Sequence, residues 1–133
     1  MEQPKLYFKK KFYIPIYDSK LWVVVTDSIK HERQAMNKTL GKEEPGFEFH
    51  DTTALCSRYY NNYALFFDKQ YICINIVAHE VFHLTHRIME YVSANFDHEH
   101  HEQGAMLHGY LMDLVYRAVR EYIKPCLLPS SPS

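Results

Sequence analysis

Glycine is scarce in this chain, with 4 residues in 133, and cysteine (3) and tryptophan (1) are scarcer. The cysteines, Cys56, Cys73 and Cys126, are odd in number and widely spaced. No CxxC pair occurs, so neither a cysteine-built zinc site nor a disulfide framework is indicated. Cys73 lies in an apolar run and reads as a core residue. A reducing, intracellular setting is the simplest one. Neither sign of charge is in excess: 15 Lys and Arg against 16 Asp and Glu give a net charge of -1. A nucleic-acid binder usually shows a basic face. The one basic run, Lys9-Lys10-Lys11, is flanked by Phe8 and Phe12 and reads as a solvated strand end. No segment reaches the roughly 18 apolar residues of a membrane span. The start, MEQPKLYFKK, has no apolar h-region of a signal peptide. The expectation is a cytoplasmic protein with neither membrane nor nucleic-acid partners.

Apolar and aromatic side chains, by contrast, are plentiful at 47% and 15%, enough for one compact core. We expect a single domain over residues 1–124, with 125–133 as a loose tail rich in Pro and Ser. "YFKKKFYIPIYD" (7–18) reads as a strand, pushed to an edge or bulge by Pro15. "LWVVVTD" (21–27) is a continuous apolar run, as in a strand buried on both faces. Asp27 or Ser28 can cap a helix over about 29–40. "GKEEPG" (41–46) breaks the chain. "FEFH" is strand-like, and an antiparallel hairpin, Thr53–Tyr60 with Tyr63–Asp68, follows with its turn at Asn61-Asn62. Asp68 would then cap a long helix over about 70–93. A polar loop, "NFDHEHH" (95–101), leads to a second long helix over about 102–122, ended by Pro125. This order gives an α+β fold: a small, mostly antiparallel sheet with two long C-terminal helices packed on one face.

The first long helix carries the chemistry. His79-Glu80-Val81-Phe82-His83 matches H-E-x-x-H. Residues i and i+4 share a helix face, so both imidazoles can reach one Zn²⁺. Glu80 projects beside the ion and can act as general base on a metal-activated water. Apolar residues lie almost all round from Ile72 to Leu84, which reads as a buried helix. Burying such groups without partners costs several kcal/mol, and a metal removes that cost. The competing reading is a hydrogen-bonded His–Glu–His cluster in a core.

Zinc with an open position needs a third protein ligand. His86 and Glu90 lie too far along the same helix. Glu102 heads a helical stripe with Ala105, Met106, Gly109, Met112 or Asp113, and Tyr116. Gly104, Ala105 and Gly109 would allow close packing on the metal helix. Glu102 is therefore the expected third ligand. His98, His100 and His101 read as solvated loop residues, any of which could replace or supplement it.

With these residues in place, the chain resembles the zincin metallopeptidases of the gluzincin type. It is also similar to a family of small phage-encoded peptidase-like proteins. That likeness rests on Ile16-Tyr17-Asp18, Val23-Val24-Val25-Thr26-Asp27, the HExxH and "EQGAMLHGYL" from Glu102 to Leu111. The resemblance implies a zinc peptidase of the host cytoplasm, with ligands His79, His83 and Glu102 and the base Glu80. The expected function is thus zinc-dependent hydrolysis of a peptide or protein. An extended substrate would pair with the Tyr63–Phe67 strand as a sheet edge. His86, His108, Tyr110 and Tyr116 are candidates for the oxyanion stabiliser or for groups behind the ligands. The alternative is a catalytically inactive zincin-like binding protein, a phage accessory or host-interaction factor, with a structural zinc.

Overall fold

The structure is a computed structural model, and it describes residues 3–41, 53–92 and 100–125. Strand β1 (Leu6–Ile14) ends in a 3-10 turn at Pro15–Tyr17, and Asp18 reverses the chain in the left-handed region, φ 48°. The Tyr13 hydroxyl donates to Asp18 Oδ1 at 2.6 Å and ties that corner. Strand β2 (Ser19–Thr26) returns antiparallel to β1. Helix α1 (Ile29–Leu40) starts where the sequence placed it, with Ser28 Oγ accepting from the His31 N–H at 3.2 Å. The hairpin follows as β3 (Ala54–Tyr59) and β4 (Asn62–Asp68). The "GKEEPG" breaker from 42 onward and "FEFH" lie outside the described residues.

The sheet order is β1-β2-β4-β3. The two outer pairings are antiparallel and the central one, β2 with β4, is parallel. Leu21, Val23, Val24 and Val25 have no exposure, because β2 is central and covered on both sides. Side chains alternate along β4. Tyr63, Leu65 and Phe67 join one core, and Ala64 and Phe66 join the other. The first core is closed by α2 (Ile74–Tyr91) and α3 (His101–Val119). The two long helices therefore share one face, as expected. Helix α1 closes the opposite face through Ile29 and Met36, so the sheet is covered on both sides.

Several details differ from expectation. The hairpin turn is Tyr60-Asn61, one residue earlier than read, and Tyr60 takes the positive φ of 59°. Asn61 has other work. Its Nδ2 donates to the Asp18 carbonyl at 2.6 Å and its Oδ1 accepts from Ser19 Oγ at 2.7 Å. Those bonds lock the β1–β2 corner to the hairpin and fix its register. Strand β4, containing Tyr63–Phe67, is internal rather than an edge. Its backbone is occupied by β2 and β3, so it cannot pair with a substrate. Among the described residues the edges are β1 and β3.

Asp68 does not cap α2. It caps a turn before it, accepting from the Gln70 N–H at 2.8 Å, while a bridge between Cys73 and Lys124 keeps the chain extended until Ile74. Cys73 is buried, as expected, but it is disulfide-bonded rather than free, whereas Cys56 is a buried free thiol. Residues 126–133 of the expected tail lie outside the described residues. Among those described, no helix is long and apolar enough to cross a membrane.

Candidate metal centre

Helix α2 buries Val77, Val81, Leu84 and Ile88, a stripe at i, i+4, i+7 and i+11 that seats it on the sheet. It is not buried all round, because Ile74, Phe82 and Tyr91 are each at least 42% exposed. The HExxH residues sit at the flank of the stripe. Glu80 is buried, His83 is half-buried and His79 is exposed, so the motif spans the boundary between core and solvent.

His79 Nε2 and His83 Nε2 are 3.1 Å apart, with the rings edge to face at 80°. Two nitrogens bound to zinc at about 2.05 Å across a tetrahedral angle would lie about 3.3 Å apart. The spacing of the pair is thus close to that of two nitrogens on one ion. Without an ion the same spacing suits one ring donating N–H to the other's lone pair. The ligand atoms of His79, Glu80 and His83 all lie within 4.8 Å of one another. An imidazole pair with one carboxylate is a donor set suited to zinc and its first-row neighbours.

The electrostatics match that chemistry. Burial raises the Glu80 carboxyl above its ordinary value, and the charges of His79 and Arg87 pull it part of the way back. Burial also lowers the His83 imidazole, helped by the like charges of His79, Arg87 and His86. A depressed imidazole stays neutral, which is the form that binds metal. A carboxyl with a raised pKa is a better proton acceptor once ionised.

Glu102 is outside this group. Its side chain is 78% exposed and its Oε2 lies 4.0 Å from His101 Nε2. The cause is the rotation of α3. The buried stripe is Gly104, Leu107, Leu111, Val115 and Val119. Glu102 precedes Gly104 by two residues, about 200° of helical rotation, and faces away from it. The four apolar members of that stripe each contribute about 1.5–3 kcal/mol on burial, which outweighs the one interaction that turning the helix would give Glu102. The stripe expected from Glu102 to Tyr116 is instead the outer face. Met106 is 70% and Tyr116 42% exposed, and nothing lies within 4 Å of a Cβ built on Gly109.

The remaining candidates separate. His86 meets Phe82 edge to face, ring centroids 4.5 Å apart, and His108 Nδ1 is 3.3 Å from Thr85 Oγ1. His86, on α2, and His108, on α3, thus both lie near the Phe82 ring. Tyr110 lies on the far flank of α3, in a cavity of about 620 Å³ shared with Ile14, Pro15, Tyr17, Met106 and Leu107. His100 and His101 are at the start of α3 rather than in a loop, and His98 lies outside the described residues. Sequence reasoning missed Arg87, Thr85 and Phe82. Arg87 was within reach, since it lies seven residues after Glu80 and so returns to the same helix face.

Comparison with known proteins identifies no relative: no family model, no curated protein and no solved structure matches the chain.

Proposed function

We propose that this protein is a zinc-dependent hydrolase acting on peptide bonds, with His79 and His83 holding the ion and Glu80 as general base. The observation that carries this reading is the 3.1 Å separation of the two Nε2 atoms beside a buried carboxyl. Zinc, when bound, supplies Lewis acidity and lowers the pKa of a coordinated water. The chain's own residues do the rest. His83, held neutral by its surroundings, offers a lone pair at neutral pH. Glu80, 6% exposed, is shielded from bulk water and takes the proton of the attacking water, then returns it to the leaving amine. Burial of Glu80 raises its basicity for that purpose. Exposed His79 leaves the open side of the pair to substrate.

A second reading has its own support. Among the described residues Glu80 is the only carboxylate grouped with the histidines. If Glu80 is itself the third ligand, no base remains, and the protein is a zincin-like binding module with a structural ion. Substitution of Glu80 by Gln tests the choice. A general base can be removed with the ion still held and hydrolysis lost, whereas loss of a ligand releases the ion as well.

A further inference from the structure

Thr85 is fully buried, and its Oγ1 donates to the Val81 carbonyl at 2.9 Å. A carbonyl only accepts, and a hydroxyl has one hydrogen to give. The 3.3 Å contact between Thr85 Oγ1 and His108 Nδ1 therefore runs the other way, with the imidazole N–H donating to the hydroxyl oxygen. In a neutral imidazole only one nitrogen carries a proton. His108 Nε2 is then a bare lone pair. The two ring nitrogens point apart in the ring plane, so with Nδ1 aimed at buried Thr85, Nε2 is aimed outward. Among the described residues it has no protein partner. The His108 ring lies near Phe82, whose ring centroid is 6.2 Å from that of His108, 6.4 Å from that of His83 and 4.5 Å from that of His86.

From this we infer that His108 offers its Nε2, on the Phe82 side of α2, as a hydrogen-bond acceptor, with Thr85 as the residue that sets its tautomer. The inference rests on the hydrolase reading for what that nitrogen accepts from, namely an N–H donor of a bound peptide. It does not rest on it for the tautomer. An oxyanion stabiliser must donate a hydrogen bond to the developing negative charge. Neutral His108 has no proton on Nε2 to give, so it positions substrate instead. A metal-bound histidine is commonly oriented by a hydrogen bond from its second nitrogen, and Thr85 does the same for a ring that contacts substrate.

The test is nitrogen NMR of the full chain labelled with ¹⁵N-histidine, metal-free, above the observed titration midpoint of His108. The wild type should show a protonated Nδ1 and a bare Nε2. Thr85→Val should move the proton to Nε2, and Thr85→Ser should restore the wild-type pattern. A wild-type proton on Nε2 overturns the inference, as does a spectrum unchanged by Thr85→Val. If the valine variant does not fold, the wild-type spectrum alone decides. Carbethoxylation with diethyl pyrocarbonate, mapped by mass spectrometry, reads the outward lone pair. His108 should be modified at Nε2 in the folded wild type, and a fully protected His108 would refute the outward exposure of that lone pair. These readouts need neither metal nor turnover, so their failure is distinct from failure of the hydrolase reading.

Discussion

Glu80→Gln keeps the volume and shape of a side chain that is 6% exposed, so packing should survive the change. What it removes is the proton acceptor. General-base catalysis contributes about 10²–10⁴-fold, so hydrolysis should fall by that factor, about 2.7–5.4 kcal/mol in the barrier. Metal affinity should change little, because His79 Nε2 and His83 Nε2 remain 3.1 Å apart. Even outer-shell partners of a metal cost 10–100-fold in affinity when lost, so a lost ligand would exceed about 100-fold. The metal-free protein supplies an independent sign. Burial lifts the folded-state pKa of Glu80 above its ordinary 4.5. Its contribution to stability is then present below 4.5 and is lost as pH rises through the folded value. The glutamine variant should match the wild type in acid and become the more stable of the two as pH rises. The assays are zinc titration, cleavage of a fluorogenic peptide library, and urea unfolding in chelator at a series of pH values. A glutamine variant that hydrolyses at the wild-type rate while holding zinc would sink the base assignment. One that releases zinc more than about 100-fold more readily would make Glu80 a ligand.

Three further outcomes follow from the same geometry. Zinc at 100 times its dissociation constant should stabilise the fold by about 2.7 kcal/mol, roughly 8–14 °C in Tm for a domain of this size, and His79→Ala or His83→Ala should abolish the shift. An equal shift in wild type and variants, read by differential scanning fluorimetry, would place the ion elsewhere. Glu102→Ala should leave zinc content unchanged, since that side chain is 78% exposed and outside the donor group; elemental analysis showing a loss would mean that α3 turns on binding. His83 is held below its ordinary 6.5, so in the metal-free protein its contribution is complete above 6.5 and is lost as pH falls towards the folded value. Zinc affinity should hold through neutral pH and weaken over that acidic range, and isothermal titration giving the reverse slope would contradict the assignment.

Much of the fold was legible because local signals agreed with tertiary demands. The Ser28 cap, the apolar run of β2 and the length of α1 each appear where the sequence placed them. The pairing of β2 with β4 was not legible. A parallel ladder between strands separated by α1 and β3 leaves no short-range trace, and the run Tyr63–Phe67 reads alike as an edge or as a central strand. The turn at Tyr60-Asn61 was misplaced by one residue because Asn61 is retained for its side-chain bonds to Asp18 and Ser19, not for its backbone. Cys73 is buried as read, but its disulfide was missed because an odd, widely spaced set of cysteines carries no pairing signal.

The misassignment of Glu102 follows from how α3 is patterned. Two stripes at helical spacing run along it, one of Leu107, Leu111, Val115 and Val119 and one of Ala105, Met106, Gly109 and Tyr116. Periodicity alone reports that a face exists, not which of two faces is turned inward. The branched aliphatic stripe wins because it buries more area against Val77, Val81, Leu84 and Ile88 than small residues can. Glycine at 109 suggested close approach, yet it faces open space. The HExxH needed no such choice. Two histidines four residues apart converge on any helix, so the 3.1 Å pair was readable from spacing alone, whereas the partners from α3 depended on a rotation that the core decides. The same rotation that turns Glu102 outward brings His108 onto Thr85. His108 lies four residues before Met112 and one after Leu107, at the border of the buried stripe, where a polar ring can reach inward with one nitrogen and outward with the other. The packing that removes one expected ligand thereby fixes the hydrogen-bonding sense of His108 against Thr85.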